Sequence, residues 1–508
     1  MSEPNTTPPG PDLTLGVAAI DLVEGAMVLG HVGDAPVLLT RTVAGLRAVD
    51  GLCTHYHAPL ADGLLVGQSV HCPWHHARFC LNTGEAIGAP AIDPLGLWRV
   101  EECDGLIFVR VRAEPAPPAR REAGTGSATP RRIVIVGGGA AGFAAAEALR
   151  REGHDGDLTV LSDDPDPPYD RPNCSKDYLA GKAPRDWMPL KDNAFYETSR
   201  IDLRTNAKVA AIDPKTRSVT LGDGDSLPFD ALILATGAAA VRPPIPGFDS
   251  PRVHVLRTMR DCEAIIAAAG QARRVAVVGA SFIGLEVAAA MVERGLEVSV
   301  IAPEAIPLAR IVGDALGRFV QSVHEAKGVV FHLGRGAAGF EAGKVILDDG
   351  TAVAADFVVV GVGVKPRLDL AAAASLTIDR GIVVDSRFRT SAPGVFAVGD
   401  VARYPDLRGG GSIRVEHWVA AQRQGQHVAR VLLDLAGDFA EAPFFWSAHY
   451  DTTINYVGHA ETFDAADVDG DIPGGDASVR LKSGGRVLAA ATLGRDVESL
   501  RIELDFES

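Results

Sequence analysis

Cysteine is scarce for a chain of 508 residues: Cys53, Cys72, Cys80, Cys103, Cys174 and Cys262 are the only six, and they follow no regular framework spacing. A disulfide scaffold is excluded on that ground, so cysteine chemistry is expected to be metal binding or redox. Clusters of basic residues are also missing. The net charge is -16 and the pI about 5.3, with Lys and Arg scattered along the chain. Nothing here attracts phosphate backbones or anionic lipid, and neither nucleic acid nor membrane is an expected partner. No apolar run reaches the roughly 18 residues of a membrane helix, and the opening MSEPNTTPPGPD lacks the basic start and apolar core of a leader peptide. A cytoplasmic protein is expected.

What is present is largely apolar. Hydrophobic residues make up 47% of the chain, and at roughly 100–200 residues per domain the length predicts three or four domains. Residues 1–12 read as a disordered tail. Residues 13–112 carry short strands between turn signals, as a small all-β domain. Residues 113–130, AEPAPPARREAGTGSATP in the main, replace periodicity with Pro, Gly, Ala and charge and read as a linker. Strand-then-helix alternation follows. RRIVIVGGGAAGFAAAEALRREG and RRVAVVGASFIGLEVAAAMVERG repeat one strand–turn–helix design. Two such units predict two dinucleotide-binding domains: 131–250 with a returning segment 376–438, and 251–375 between them. Residues 439–508 return to alternating strand patterns, as a C-terminal α+β domain.

The strongest chemical signal lies in the β domain. Cys53 and His55 form one short loop and Cys72 and His75 a second, each offering a thiolate and an imidazole. Two Cys and two His suit a structural zinc, but zinc motifs usually group like ligands together. The alternating order, within CTHYHAPLADG and CPWHHARFCLNTGEAIGAPA, resembles the Rieske ferredoxin family. That resemblance implies a [2Fe–2S] cluster with two thiolates and two imidazoles. The additional loop cysteines of quinol-oxidising Rieske domains are absent, which favours the low end of the roughly -150 to +300 mV range. His57 and His76 stand where the family often has Gly. With four ligand positions filled, they read as hydrogen-bonding or surface histidines.

Gly137, Gly139 and Gly142 form GxGxxG between a strand and an Ala-rich helix, where a pyrophosphate can sit against the helix N-terminus. Asp163, at the end of the following strand, is placed to accept a ribose hydroxyl hydrogen bond. Further along, LILATGA carries Thr236 and Gly237, and GVFAVGDVA carries Asp400. These stretches resemble the two-dinucleotide-domain flavoproteins, and PYDRPNCSKDYL resembles a segment shared by aromatic-ring dioxygenase ferredoxin reductases and apoptosis-inducing-factor-like proteins. The resemblance implies bound FAD. It puts Arg171 and Lys176 at the flavin and its phosphates, Arg257 at a phosphate, Asp400 at the ribityl chain, Val209 on the adenine side, and Glu416, His417 and Trp418 beside the isoalloxazine.

Gly279, Ser281 and Gly284 form the second turn, with Ser at the middle position, as a nicotinamide-nucleotide site. Glu304 is the acid nearest the end of the following strand, and no arginine cluster follows, which leans towards NADH over NADPH. By resemblance, Gly363, with Gly361, approaches the nicotinamide, and Glu286 pairs with Lys176 in the catalytic machinery.

Together these motifs resemble Rieske-domain fusions of FAD-dependent ferredoxin reductases. The implied activity is electron transfer from a nicotinamide nucleotide through FAD to the cluster, and on to a protein acceptor of oxygenase or haem monooxygenase type. The sequence is silent on oligomeric state, and a homodimer stays open. One alternative is a peroxide or disulfide reductase using Cys174, which has no CxxC or CxxxxC partner. A second is a non-enzymatic, NADH-responsive redox sensor.

Overall fold

The computed structural model describes residues 10–113, 129–406, 408 and 410–508. The expected tail lies outside them up to residue 9, as does the expected linker from 114 to 128. The chain forms two compact units, one built from its beginning together with Arg495–Ser508 and the other ending at Gly494.

In the first unit a six-stranded antiparallel sheet is ordered Val17–Ala18, Leu106–Arg112, Leu97–Cys103, Gly45–Asp50, Ala35–Thr42, Met27–Val32. Alternation along Ala35–Thr42 decides what it covers. Val37 and Leu39 point into a core with Leu13, Leu22, Ile107 and Val109, while Leu38 points the other way, into a core with Val49, Leu60, Val70 and Phe79. A strand must present successive side chains to opposite faces, so one strand serves both cores. The second core underlies a four-stranded meander of Leu64–Val66, Ser69–His71, Arg78–Cys80 and Ala86–Gly88. The C-terminal helix, Asp496–Glu507, belongs to this unit, with Leu500 and Ile502 buried. The 439–508 segment thus divides at its end, its final helix grouping with the N-terminal domain.

The second unit holds two parallel five-stranded sheets. The first is ordered Asp202–Arg204, Asp157–Leu161, Arg132–Val136, Ala231–Leu234, Val395–Ala397, and the second Val253–Val255, Phe357–Val360, Arg274–Val278, Glu297–Ala302, Val330–Leu333. Their central strands are apolar and buried on both faces, as parallel strands under helices must be. Val395–Ala397 brings the chain back to the first sheet after the second is complete. Helix Ala140–Arg151 lies against helix Trp418–Leu432, where a Cβ on Gly425 would stand 2.2 Å from the Ala141 carbonyl oxygen. A five-stranded antiparallel sheet, running in sequence from Phe444–His449 to Arg486–Leu493, follows in this unit beside smaller sheets of two or three strands. No helix among the described residues is long and apolar enough to cross a membrane.

Candidate functional site

The two loops over the meander share one backbone design. Cys53 N–H donates to the Ala58 carbonyl at 2.9 Å, and Cys72 N–H to the Ala77 carbonyl at 2.8 Å. Each loop closes through a residue with φ of +60°, His57 in the first and His76 in the second. That conformation costs a non-glycine residue about 1–2 kcal/mol, which is why glycine is common there. The Cys53 and Cys72 thiols are buried and hydrogen-bonded to each other. His55 and His75 present Nδ1 to Nδ1 at 3.2 Å, with Tyr56 stacked on His55 at a centroid distance of 4.0 Å. Among the described residues no three His, Cys, Asp or Glu side chains converge as around a single ion. Thiol beside thiol and imidazole beside imidazole instead fits a two-iron cluster in which each iron takes one like pair, and speaks against zinc.

His76 is not a surface residue. It is fully buried and its Nδ1 lies 3.0 Å from Glu503 Oε2 of the C-terminal helix, with Arg78 Nη2 3.4 Å from the same oxygen and 2.6 Å from Glu507 Oε1.

In the second unit a cavity of ≈ 450 Å³ is lined by Gly139, Arg171, Lys176, Gly237, Arg257, Ser281, Glu286, Gly363, Asp400, Glu416, His417 and Trp418, twelve of the residues singled out from sequence. The other glycines of the two turns allow close backbone approach beside it. Gly137 has φ of +114° and a Cβ there would lie 2.2 Å from the Ala235 carbonyl oxygen; Gly279 has φ of +108° and its Cβ would lie 2.4 Å from that of Gly361. Gly142 and Gly284 likewise press against the oxygens of Gly137 and Gly279, at 1.9 and 2.2 Å from a built Cβ. The two turns are one construction used twice. They differ at the middle position: Gly139 leaves the N-terminus of Ala140–Arg151 without a side-chain cap, whereas Ser281 caps Phe282–Glu293, accepting from Gly284 N–H and donating to the Gly361 carbonyl at 2.7 Å. Ser therefore replaces Gly at the cost of one free anion-binding N–H.

Charged groups are paired along the wall. Arg257 Nη2 meets Asp400 Oδ2 at 2.6 Å, and burial pulls the guanidinium below its ordinary pKa. Burial also raises the Glu416 carboxyl, against the Arg414 guanidinium paired with it. The Arg171 Nε is buried without a hydrogen-bond partner, a donor that a phosphate would satisfy. His417 stacks on Phe445 at 4.2 Å and burial pushes it down to about 3, so it is a neutral ring. Lys176 Nζ lies 2.9 Å from Glu286 Oε2, which also accepts from Ser175 Oγ at 2.5 Å. Asp163 is half-exposed and held 2.7 Å from Arg367 Nη1; Thr236 Oγ1 donates to the Arg367 carbonyl at 3.1 Å. Val209 is buried at the start of Val209–Asp213, and Glu304 is exposed. Arg367 lies in no motif of its own, so the sequence gives no sign of its place beside Asp163.

Cys174 lines the cavity, and it has a partner far away in sequence: its thiol is hydrogen-bonded to Cys262 on helix Met259–Ala269. That bond, with burial, holds Cys174 far above the usual thiol pKa. A thiolate nucleophile needs the opposite environment.

Residues 131–425 match the model of the pyridine nucleotide-disulphide oxidoreductases, and residues 15–101 that of the Rieske [2Fe-2S] domain. The chain belongs to the pyridine nucleotide-disulphide oxidoreductase family. Its relatives include apoptosis-inducing factor 3 of Homo sapiens, 31% identical over 94% of this chain and 81% of that one. Rhodocoxin reductase of Rhodococcus erythropolis is 36% identical over 72% of this chain and 86% of its own length. Among solved structures, the covalent putidaredoxin reductase–putidaredoxin complex superposes with a TM-score of 0.72 at 33% identity, covering 74% of this chain and 93% of that one. As a member of this family with a Rieske domain, the chain is an oxidoreductase that takes FAD, a nicotinamide nucleotide and a [2Fe–2S] cluster. The unpartnered Arg171 Nε, the two glycine turns and the paired thiols and imidazoles fit those three groups.

Proposed function

We propose that this chain transfers electrons from NAD(P)H through FAD to its own Rieske cluster, and from there to a protein acceptor of ferredoxin, oxygenase or haem monooxygenase type. The observation that carries the reading is the Lys176–Glu286 ion pair in the cavity wall, beside a Cys174 thiol held protonated. A wall offering an ammonium and no thiolate suits electron relay and not thiol exchange. Bound FAD supplies the conversion between a two-electron donor and one-electron acceptors.

The remaining roles fall to residues that bind and orient. The N-terminus of Ala140–Arg151, with Gly137, Gly139 and Gly142 beneath it, receives the FAD pyrophosphate. Arg171 adds a buried cation, Asp163 takes the adenosine ribose, and Val209 borders the adenine. Thr236 and Gly237 hold the strand end. Asp400, fixed by Arg257, accepts from ribityl hydroxyls, which are uncharged donors. Glu416, the neutral His417 ring and Trp418 border the isoalloxazine. Gly279, Ser281 and Gly284 receive the nicotinamide nucleotide's pyrophosphate, Glu304 its ribose, and Gly363 gives the nicotinamide close approach. Cys53 and Cys72 hold one iron of the cluster, His55 and His75 the other. Support for a protein acceptor comes from the names of the relatives, among them a rhodocoxin reductase and a putidaredoxin reductase joined to putidaredoxin.

Anaerobic titration of the cluster-loaded protein with NADH and then NADPH, following flavin absorbance together with the Rieske electron paramagnetic resonance signal, tests this. Flavin bleaching followed by a reduced-cluster signal is expected, with NADH the better donor. Flavin reduction beside a cluster that stays oxidised overturns the internal relay and favours the sensor reading.

A further inference from the structure

Behind Glu286 runs a line of buried polar groups that none of these roles uses. Ser447 Oγ donates to Glu286 Oε1 at 2.7 Å. The same hydroxyl meets His449 Nε2 at 3.2 Å, His449 Nδ1 meets His324 Nε2 at 3.2 Å, and His324 Nδ1 meets the Tyr450 hydroxyl at 3.5 Å. Ser447, His449 and His324 are each 0% exposed. Tyr450 is half-buried, and the exposed Lys327 lies 5.5 Å over its ring, so the line ends at the surface. Polar side chains buried this deeply cost stability unless every bond is made, and an apolar wall would pack as well. Burial holds both imidazoles down to about 3, helped by Lys176 at His449 and by His449 at His324. They are therefore neutral, and a neutral imidazole accepts on one nitrogen while donating from the other.

We propose that Glu286, Ser447, His449, His324 and Tyr450 form a proton-conducting chain from the flavin-side cavity to solvent. It rests on the reading of Lys176 and Glu286 as the flavin-facing pair. Oxidising NAD(P)H to NAD(P)⁺ yields two electrons and one proton; one-electron acceptors take both electrons and no proton, so one proton per nicotinamide must leave. A proton on Glu286 passes to Ser447 Oγ as that hydroxyl gives its own to His449 Nε2. His449 then releases its Nδ1 proton to His324 Nε2, His324 its Nδ1 proton to Tyr450, and Tyr450 its hydroxyl proton to water. Both rings end with the proton on Nε2 and every donor pointing inward, which agrees with Ser447 donating to Glu286; before the next proton passes, both rings return to the Nδ1-protonated tautomer and the Ser447 and Tyr450 hydroxyls turn outward. The charged groups bordering it are Lys176 at the inner end and Glu293 and Lys327 at the outer.

Two measurements on the holoprotein test this. In ¹⁵N-histidine NMR at pH 7, His449 and His324 are expected to be neutral with the proton on Nε2; an imidazolium at either overturns the chain. In stopped flow, NADH-reduced protein is mixed with ferricenium in weak buffer containing a pH-indicator dye. Proton appearance is expected to keep pace with flavin reoxidation in the native protein and to lag at least tenfold in His449→Gln and His324→Gln, which keep a hydrogen-bonding side chain but cannot relay. Proton release that keeps pace in both variants overturns the proposal. Glu286→Gln separates the two layers: a lag there but in neither histidine variant sinks only the chain, while a Glu286→Gln protein with unaltered flavin reduction and proton release sinks the flavin-facing reading itself.

Discussion

Replacing Glu503 by Ala should loosen the cluster-bearing unit far more than its position near the chain end suggests. Glu503 is fully buried, and its carboxylate is bonded by His76 at 3.0 Å and approached by Arg78 at 3.4 Å. Removing one partner from such a buried group strands the others and costs about 3–5 kcal/mol. For a unit of this size each kcal/mol lowers the midpoint by about 4 °C, so the cluster's visible absorption should bleach about 12 °C or more below the native protein's temperature. Glu507 offers the control on the same helix. It pairs with Arg78 at 2.6 Å but both side chains keep 15% exposure, and its truncation should cost about 1 kcal/mol or less. Glu503→Gln, which keeps the shape and loses the charge, should fall between. Heating the full-length holoprotein while recording cluster absorption measures all three. Equal shifts for the Glu503 and Glu507 truncations would falsify the reasoning, because burial is what separates them.

Gly137→Ala should fail to retain FAD, since its Cβ would stand 2.2 Å from the Ala235 carbonyl at φ of +114°; Gly139→Ala, whose Cβ meets nothing nearer than Arg171 at 3.6 Å, should fold normally and bind FAD more weakly. Flavin content after purification, read beside circular dichroism, checks both, and a Gly137→Ala protein with full flavin content refutes the turn argument. Glu304→Gln should lower the ratio of NADH to NADPH kcat/KM by about tenfold through the lost ribose hydrogen bond; an unchanged ratio removes Glu304 from the site. His324, His417 and His449 sit near 3 in the folded chain, below the ~6.5 of an unfolded histidine, so protons favour unfolding. The stability they hold is complete above about pH 6.5 and falls as pH drops towards 3. Between pH 7.5 and 5.5 the three should together forfeit about 4 kcal/mol in urea unfolding of the flavin-bearing unit, and equal stability at both values would show that none of the three rings is held below its unfolded pKa.

What the sequence reveals of this molecule depends on how local each feature is. The cluster ligands and both glycine turns lie within short windows, where spacing alone brings the groups together, and the strands and helices around them follow from their periodicity. Twelve of the expected residues do meet in one cavity. Pairings closed by the tertiary fold leave no such trace. Cys174 finds Cys262, Asp163 finds Arg367, and Ser447 and His449 join His324 only because separate elements pack together. His57 and His76 look alike in sequence and share φ of +60°, yet one is exposed and the other buried under the C-terminal helix. Nothing within several residues of either distinguishes them.

The bond between His76 and Glu503 spans 427 positions of the chain. During synthesis at roughly 5–20 residues per second, the ribosome needs on the order of 20–90 s to travel from one to the other. The entire flavin-bearing unit is made in that interval, while the N-terminal domain waits for its closing helix. The helix that carries Glu503 over His76 is therefore the last element of the cluster-bearing unit to be made, after the strands and helices of the flavin-bearing unit.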